Sequence, residues 1–371
     1  MIGEHPVPPA RVLHVVDRLT GGVPLAVASY IENSPPDFRH AIVAPAGQRV
    51  PEWDERGLQV LDLGDSHVGR VRALRRAVRG FDPHTIHAHS SFAGGYARLA
   101  ARRGIRRIVY TPHCFAFARE DRGTLSRRLF RVMEATLGLN TSLVAACSES
   151  EATLASALTS LRGRILPVPN VARMPPAPPR RPRLGAMLRV GMVGRVGPQK
   201  DPEYFVEVVS RLRRSGLAVD PVWIGDGDPA LVARLTDADI RVTGWVRGAQ
   251  LEVALDDLDV YVHSARWEGF PLSLLDAHVR GVPLLVRETA TSGAVPAPHS
   301  AEDGIAGLIG AARERDDFSR WVALNRDYWT SRLRENDVAH QTAALARVWA
   351  TGPHDPRLVV PSTRRSRGVR S

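Results

Sequence analysis

Five prolines fall within the fifteen residues from Ala172 to Ala186, ARMPPAPPRRPRLGA. No helix interior or central strand tolerates such a run, because each proline removes a backbone donor and fixes φ. On either side of it the chain repeats one pattern: a short apolar run, a turn, then a stretch with helical spacing of its apolar residues. That alternation specifies a parallel sheet with helices on both faces, so the chain reads as two α/β units. Predicted strands in the first half are Arg11–Val16, His40–Ala44, Gln59–Leu63, Thr85–His89, Arg107–Thr111 and Leu143–Cys147. The second half offers Leu188–Val193, Val219–Ile224, Ile240–Thr243, Leu258–Val262 and Val282–Val286. At 371 residues and 44% hydrophobic composition the chain outgrows a single core and has material for two. The expected division is a first domain at 1–172, a linker at 173–186, a second domain at 187–351, and a basic tail at 352–371 expected to be disordered. Ligands are expected in the cleft between the domains.

Cysteine content and hydropathy narrow the setting. Cys114 and Cys147 have no zinc-ligand spacing and cannot make a disulfide framework, which suits a reducing cytosol with both thiols inert. The first residues, MIGEHPVPPARVLHVV, lack the layout of a signal peptide, and no apolar run approaches the ~18 residues needed to cross a bilayer. A cytoplasmic protein, free or peripheral on the inner face of the membrane, is expected. Lys and Arg number 50 against 39 Asp and Glu, a net charge of +11 that favours an acidic partner. Arg70, Arg72, Arg75, Arg76 and Arg79 surround Val71, Leu74 and Val78 at helical spacing, giving a basic face suited to an anionic membrane surface. No aromatic-interleaved basic motif points to nucleic acid.

Three strings carry chemistry. Trp267-Glu-Gly-Phe-Pro-Leu-Ser-Leu-Leu-Asp-Ala277 follows an apolar strand and opens a helix, with Pro271 suited to its first position. Glu268 is thereby expected at the carboxyl end of a strand beside free N–H groups, where open α/β sheets bind phosphorylated ligands. Asp276 falls about one and a half turns further on. The second string, Gly191-Met-Val-Gly-Arg-Val-Gly-Pro-Gln-Lys-Asp201, is a glycine-rich turn before a helix starting at Pro202, and its Arg195 and Lys200 suit a diphosphate. A nicotinamide site fits poorly, since the glycine spacing is wrong and no acid ends a second strand about twenty residues on. The third lies in the first half: Gly21-Gly22 before a helix expected from Pro24, and HTIHAHSS followed by YTPHCFAF, which contains His87, His89 and His113. His87 and His89 read as core or supporting residues. Asp226-Gly-Asp228 and Asp257-Leu-Asp259 resemble metal-binding strings, but each has a duty in a loop or strand entry, and neither is expected to hold an ion.

In this order the motifs resemble glycosyltransferase family 4, a group of retaining, nucleotide-sugar-dependent enzymes with the GT-B fold. The similarity covers roughly residues 10 to 290 and is greatest to members that extend bacterial cell-surface polysaccharides and lipid-linked oligosaccharides. Glu268 and Asp276 match the family's E-x7-E pair, with Asp in place of the second Glu. Arg195 and Lys200 match its diphosphate-binding residues, Gly21-Gly22 the loop that closes over the donor, and Trp245 the turn near the base. His113 matches the active-site histidine beside the transferred sugar, with Cys114 where the family has Gly. The resemblance implies two Rossmann-like domains facing each other across a cleft. It also implies a C-terminal helix packed back on the first domain, and a nucleoside-diphosphate sugar as donor. The expected acceptor is a hydroxyl of a glycan or lipid-linked molecule, and no cofactor or metal is expected. Glu268 and the backbone amides around Gly269–Leu272, those of Gly269, Phe270 and Leu272 flanking Pro271, would position the sugar, and Asp276 would hold the ribose. The alternatives are a phosphorylase- or sucrose-type transferase of the same fold, and a sugar-nucleotide-binding subunit without turnover.

Overall fold

The computed structural model describes residues 9–47, 50–177, 186–289, 295 and 299–350. The expected tail at 352–371 and most of the proline-rich linker lie outside the described residues. The first domain runs β1 (Ala10–Val16), α1 (Gly22–Glu32), β2 (Phe38–Ala44), α2 (Pro51–Asp54), β3 (Gln59–Asp62), α3 (His67–Phe81), β4 (Thr85–His89), α4 (Ser91–Ala100), β5 (Arg107–Thr111), α5 (Thr124–Gly138), β6 (Leu143–Ala146), α6 (Glu149–Ser156) and β7 (Ile165–Pro167). Its sheet has the order β3-β2-β1-β4-β5-β6-β7 and is parallel throughout. Six of the seven strands match predicted ones to within two residues at either end. The seventh, β7, is a three-residue edge strand ending in proline, too short to show a period.

The second domain runs β8 (Leu188–Val193), α7 (Pro202–Arg214), β9 (Val219–Ile224), α8 (Pro229–Asp237), β10 (Arg241–Val242), α9 (Ala249–Asp256), β11 (Val260–His263), α10 (Leu272–Val279), β12 (Leu284–Val286), α11 (Gly304–Ala311), α12 (Arg315–Arg332) and α13 (Val338–Trp349). Its strand order is β10-β9-β8-β11-β12, again parallel. Each sheet has one switch point, where successive connections leave in opposite directions and open a crevice at the carboxyl ends. In the first sheet it lies between β1 and β4, in the second between β8 and β11. All three chemistry-bearing strings follow strands at or next to these switch points, and that placement is what assembles the site.

Within the span 187–351, α12 buries Phe318, Trp321 and Trp329 in the second core, while α13 crosses back and buries Leu345, Val348 and Trp349 against Ala10, Val12 and Tyr30 of the first. Gln341 donates to the Pro169 carbonyl at 2.8 Å and Arg107 to that of Val348 at 2.7 Å, so the crossing is held by hydrogen bonds as well as apolar area. The expected return of the C-terminal helix is thus observed. Helix boundaries shift slightly: α1 begins at Gly22 rather than Pro24, and Pro271 caps α10 in extended geometry instead of occupying its first turn.

Candidate active site

The glycine-rich turn between β8 and α7 is built on close backbone approach. A Cβ on Gly225 would stand 2.1 Å from the Gly194 carbonyl oxygen, and one on Gly227 2.0 Å from that of Val196. The Gly225-Asp-Gly-Asp228 string therefore lets the loop after β9 zip onto this turn, through Val196 N–H to Asp226 O and Asp228 N–H to Val196 O, both at 2.9 Å. Its carboxylates serve the same loops. Asp226 accepts from the Gly227 N–H, Asp228 caps α8, and Asp257 and Asp259 both face Arg189.

The same glycine-rich turn is stapled to the loop before α10. Gln199 donates to the Trp267 carbonyl at 3.0 Å and to Glu268 at 3.3 Å, and the Ser264 hydroxyl donates to the Lys200 carbonyl at 2.6 Å. Lys200 and Glu268 form an ion pair, with side chains 14% and 17% exposed. The two residues assigned from sequence to separate parts of a ligand are thus joined in one charged unit. Arg195 is exposed on the same turn, with no hydrogen bond or ion pair recorded for it among the described residues. Trp245, 59% exposed, follows Gly244 in the loop after β10 at the same edge of the sheet.

The first domain meets this assembly closely. A Cβ on Gly269 would lie 2.7 Å from the His113 carbonyl carbon and 3.0 Å from the Cys114 nitrogen, so only glycine permits this approach of the two domains. Gly21, at φ +87°, starts α1 in a conformation that favours glycine, and a Cβ on Gly22 would rest 3.8 Å from Leu272. Asn170 donates to the Phe270 carbonyl at 3.1 Å. Gly22, His113 and Asn170 of one domain are thus brought against Leu272, Gly269 and Phe270 of the other, next to Glu268 and its partner Lys200.

His113 and Cys114 have φ of +51° and +101°. The second is strained for any residue but glycine, a cost on the order of 1–3 kcal/mol. The Cys114 N–H donates to Glu151 at 2.8 Å, and the other oxygen of that buried carboxylate accepts from the Cys147 N–H at 2.9 Å. Glu151 escaped the sequence reading although it was signalled: Ser148 caps α6 and accepts from the Glu151 N–H, a capping-box spacing. Here the acid reaches past the cap to hold the turn that carries His113. Burial pushes both the Cys114 and Cys147 thiols up, so neither is a ready nucleophile.

Asp276, expected to hold a ribose, is 1% exposed, and both its carboxylate oxygens accept from Arg173: from the backbone N–H at 2.8 Å, from Nε at 3.0 Å, and in a close ion pair from Nη2. Arg173 stands at the start of the interdomain connection, so this pair anchors that connection to α10.

Two parallel-sheet domains with facing carboxyl edges and a glycine-lined contact between them are the arrangement of the GT-B fold. Comparison with known proteins makes this specific. Residues 10–171 match the glycosyl transferase 4-like domain and residues 188–323 match glycosyl transferases group 1. A GDP-mannose-dependent alpha-mannosyltransferase of Mycobacterium tuberculosis is 30% identical over 76% of this chain and 75% of its own length. A UDP-Gal:alpha-D-GlcNAc-diphosphoundecaprenol alpha-1,3-galactosyltransferase of Escherichia coli is 29% identical over 54% of this chain and 57% of its own. The solved structure of Anabaena HepE in complex with UDP and glucose superposes with a TM-score of 0.70, covering 91% of this chain and 98% of that one at 15% identity. The chain belongs to the family 4-like glycosyltransferases.

Proposed function

We propose that this protein is a retaining, metal-independent hexosyltransferase. It moves a sugar from a nucleoside diphosphate to a hydroxyl of a glycan or lipid-linked acceptor, in cell-surface polysaccharide or glycolipid synthesis. The observation that carries this reading is the Lys200–Glu268 pair at the β8/β11 switch point, closed from the other side by the His113 turn. As the bond from the anomeric carbon to the diphosphate breaks, Lys200 and Arg195 stabilise the growing phosphate charge. The capping of the two helix starts supports assigning one of them to the phosphate. Asp201 caps α7 and holds Arg287, closing that N-terminus, whereas α10 carries no side-chain cap. The first-turn N–H groups of α10 are therefore the ones assigned to the donor. The acceptor oxygen bonds to the same face of the anomeric carbon, and its proton passes to the leaving phosphate oxygen, so no protein nucleophile is needed.

His113 is assigned to a hydroxyl of the transferred sugar, and Trp245 to the base. The named relatives use UDP-galactose and GDP-mannose, which makes these the donors to offer first. Turnover is expected with one of them and a diphosphate-linked lipid sugar as acceptor, undiminished by EDTA. Loss of activity in EDTA with recovery in manganese would place a metal in the mechanism. Donor binding without transfer to any acceptor would make the chain a binding subunit.

The acceptor reading extends to a membrane surface. Among the described residues no helix is long and apolar enough to cross a bilayer. The α3 arginines Arg72, Arg75, Arg76 and Arg79 are exposed as expected. Beside that layer, linked through ring contacts from His67 to Phe92 and Phe92 to Phe130, α5 exposes Leu125, Leu129 and Val132 among Arg127, Arg128 and Arg131. Basic residues draw the face to anionic headgroups, about 1 kcal/mol each, and the apolar ones insert. Co-sedimentation is expected with vesicles rich in phosphatidylglycerol and not with neutral ones, falling as salt rises. It should be lost when Arg72, Arg75, Arg76 and Arg79 become Glu. Equal retention on neutral vesicles would point to a soluble acceptor.

A further inference from the structure

One face of the first sheet carries a row of histidines that the transfer chemistry does not use. Val12 pairs with His40 across β1 and β2, while His14 pairs with His87 and Val16 with His89 across β1 and β4. Residues two apart share a face, so His40, His14, His87 and His89 line up diagonally from the amino to the carboxyl edge of the sheet. Tyr30 stacks on His87 and His113, and Trp349 of α13 meets His14, His40 and His87 edge-on, closing the face from solvent.

Four rings are linked head to tail. His40 Nδ1 lies 3.1 Å from His14 Nε2, His14 Nδ1 3.0 Å from His89 Nε2, and His89 Nδ1 3.1 Å from His113 Nε2. At the far end His40 Nε2 meets Ser34 Oγ at 2.8 Å. A neutral imidazole donates from one nitrogen and accepts at the other, so fixing one end orients every ring. The Ser34 hydroxyl donates to the Pro35 carbonyl at 3.0 Å, which leaves its oxygen to accept from His40 Nε2–H. Each following ring then donates from Nε2 and accepts at Nδ1, until His113 donates to His89 and keeps a lone pair on Nδ1. Burial holds all four rings neutral at pH 7, with His40 pushed down to about 4, His113 to about 3, and His14 and His89 well below their usual value.

We propose that His14, His40 and His89 are positioning residues that hold His113 in its Nε2–H tautomer, presenting an unprotonated Nδ1 as acceptor for a hydroxyl of the donor sugar. The role of that acceptor rests on the proposed function; the tautomer itself does not. His87 stands outside the chain: the Trp349 indole, which can only donate, occupies its Nδ1 at 3.2 Å and leaves Nε2–H for the Thr111 hydroxyl at 2.8 Å. His14, His87 and His89 bring nitrogens within 4.8 Å of one another, close enough to suggest a metal. Those of His14 and His89 are already spent on the chain, and those of His87 on Trp349 and Thr111.

The test is imidazole nitrogen NMR on the full-length, 15N-histidine-labelled protein at pH 7, with His113 assigned by its loss in His113→Gln. A protonated Nε2 and an unprotonated Nδ1 are expected for His113. Cutting the chain in His14→Phe, or removing its directing end in Ser34→Ala four rings away, should bring up a second His113 signal set with Nδ1 protonated. His14→Gln, which can donate and accept, should restore a single set. The Ser34→Ala variant leaves the buried face untouched and answers the question even where His14→Phe does not fold. A wild-type His113 protonated on Nδ1, an unchanged signal in both chain-breaking variants, or stoichiometric zinc in the purified protein would overturn the proposal. Because no turnover is measured, failure here is distinct from failure of the transferase reading.

Discussion

Replacing Lys200 with alanine is expected to lower kcat by at least ~100-fold, the scale of losing one preorganised donor to a transition-state anion, with a smaller change in KM. The charge Lys200 meets grows as the phosphate departs, so the loss falls on the chemical step. Folding should persist. The Lys200 carbonyl, which accepts from Ser264, is untouched by the substitution, and Gln199 still donates to the Glu268 carboxylate. Steady-state kinetics on a variant with an unaltered circular dichroism spectrum checks this. Near-normal turnover would remove Lys200 from the mechanism and with it the meaning of its pairing with Glu268.

A steep loss of stability in mild acid is the second large effect. His14, His40, His87, His89 and His113 are all held below the usual histidine pKa of 6.5, chiefly by burial and in several cases by neighbouring imidazoles. The groups facing them are other imidazoles, the Tyr30 phenol, the Trp349 indole and the Ser34 and Thr111 hydroxyls, none of which carries a negative charge to compensate a positive one. A histidine lowered in the folded state stabilises fully above its unfolded pKa. That contribution is lost as pH falls from 6.5 toward about 4 for His40 and about 3 for His113. Within this window each group costs about 1.4 kcal/mol per pH unit. The five losses add in the same direction, against a typical total stability of ~5–15 kcal/mol. Glu151, whose carboxyl is raised by burial, acts with the opposite sign, but it is one group against five. Urea unfolding between pH 8 and pH 4.5 should show a midpoint that drops sharply below 6.5 with uptake of several protons. A flat profile to pH 5 would mean that the cluster opens to water or carries a charge in the native state.

Much of the architecture was legible because it depends on local rules. Thr85–His89, Arg107–Thr111, Leu188–Val193 and Val219–Ile224 are strands with the predicted bounds, each an apolar run between turn signals, and α7 starts at Pro202 as its sequence requires. The three chemistry-bearing strings were also recognisable, since glycines, an acid and cations at fixed spacings follow strand ends. Partnership was less visible. The sequence contains Asp276 and Arg173 a hundred residues apart, and nothing at either position says that they meet. The pairing of Lys200 with Glu268 was hidden for the same reason, as was the support that Glu151 gives to the Cys114 turn.

The histidines mark that boundary most sharply. His87 and His89 could be placed on one face of a strand by period alone, and this local alternation is set by backbone pleating. Their alignment with His14 and His40 needs the β2-β1-β4 order and register, which loop lengths and packing decide together. By itself the sequence determined two parallel α/β domains and the glycine-rich turns that follow their strands, because steric and hydrophobic preferences act over a few residues. Only the tertiary structure decided which charges neutralise each other, which helix start remains open, and that α13 closes over the first domain. Those outcomes depend on distances between segments far apart in the chain, and electrostatic and hydrogen-bond energies change steeply with such distances.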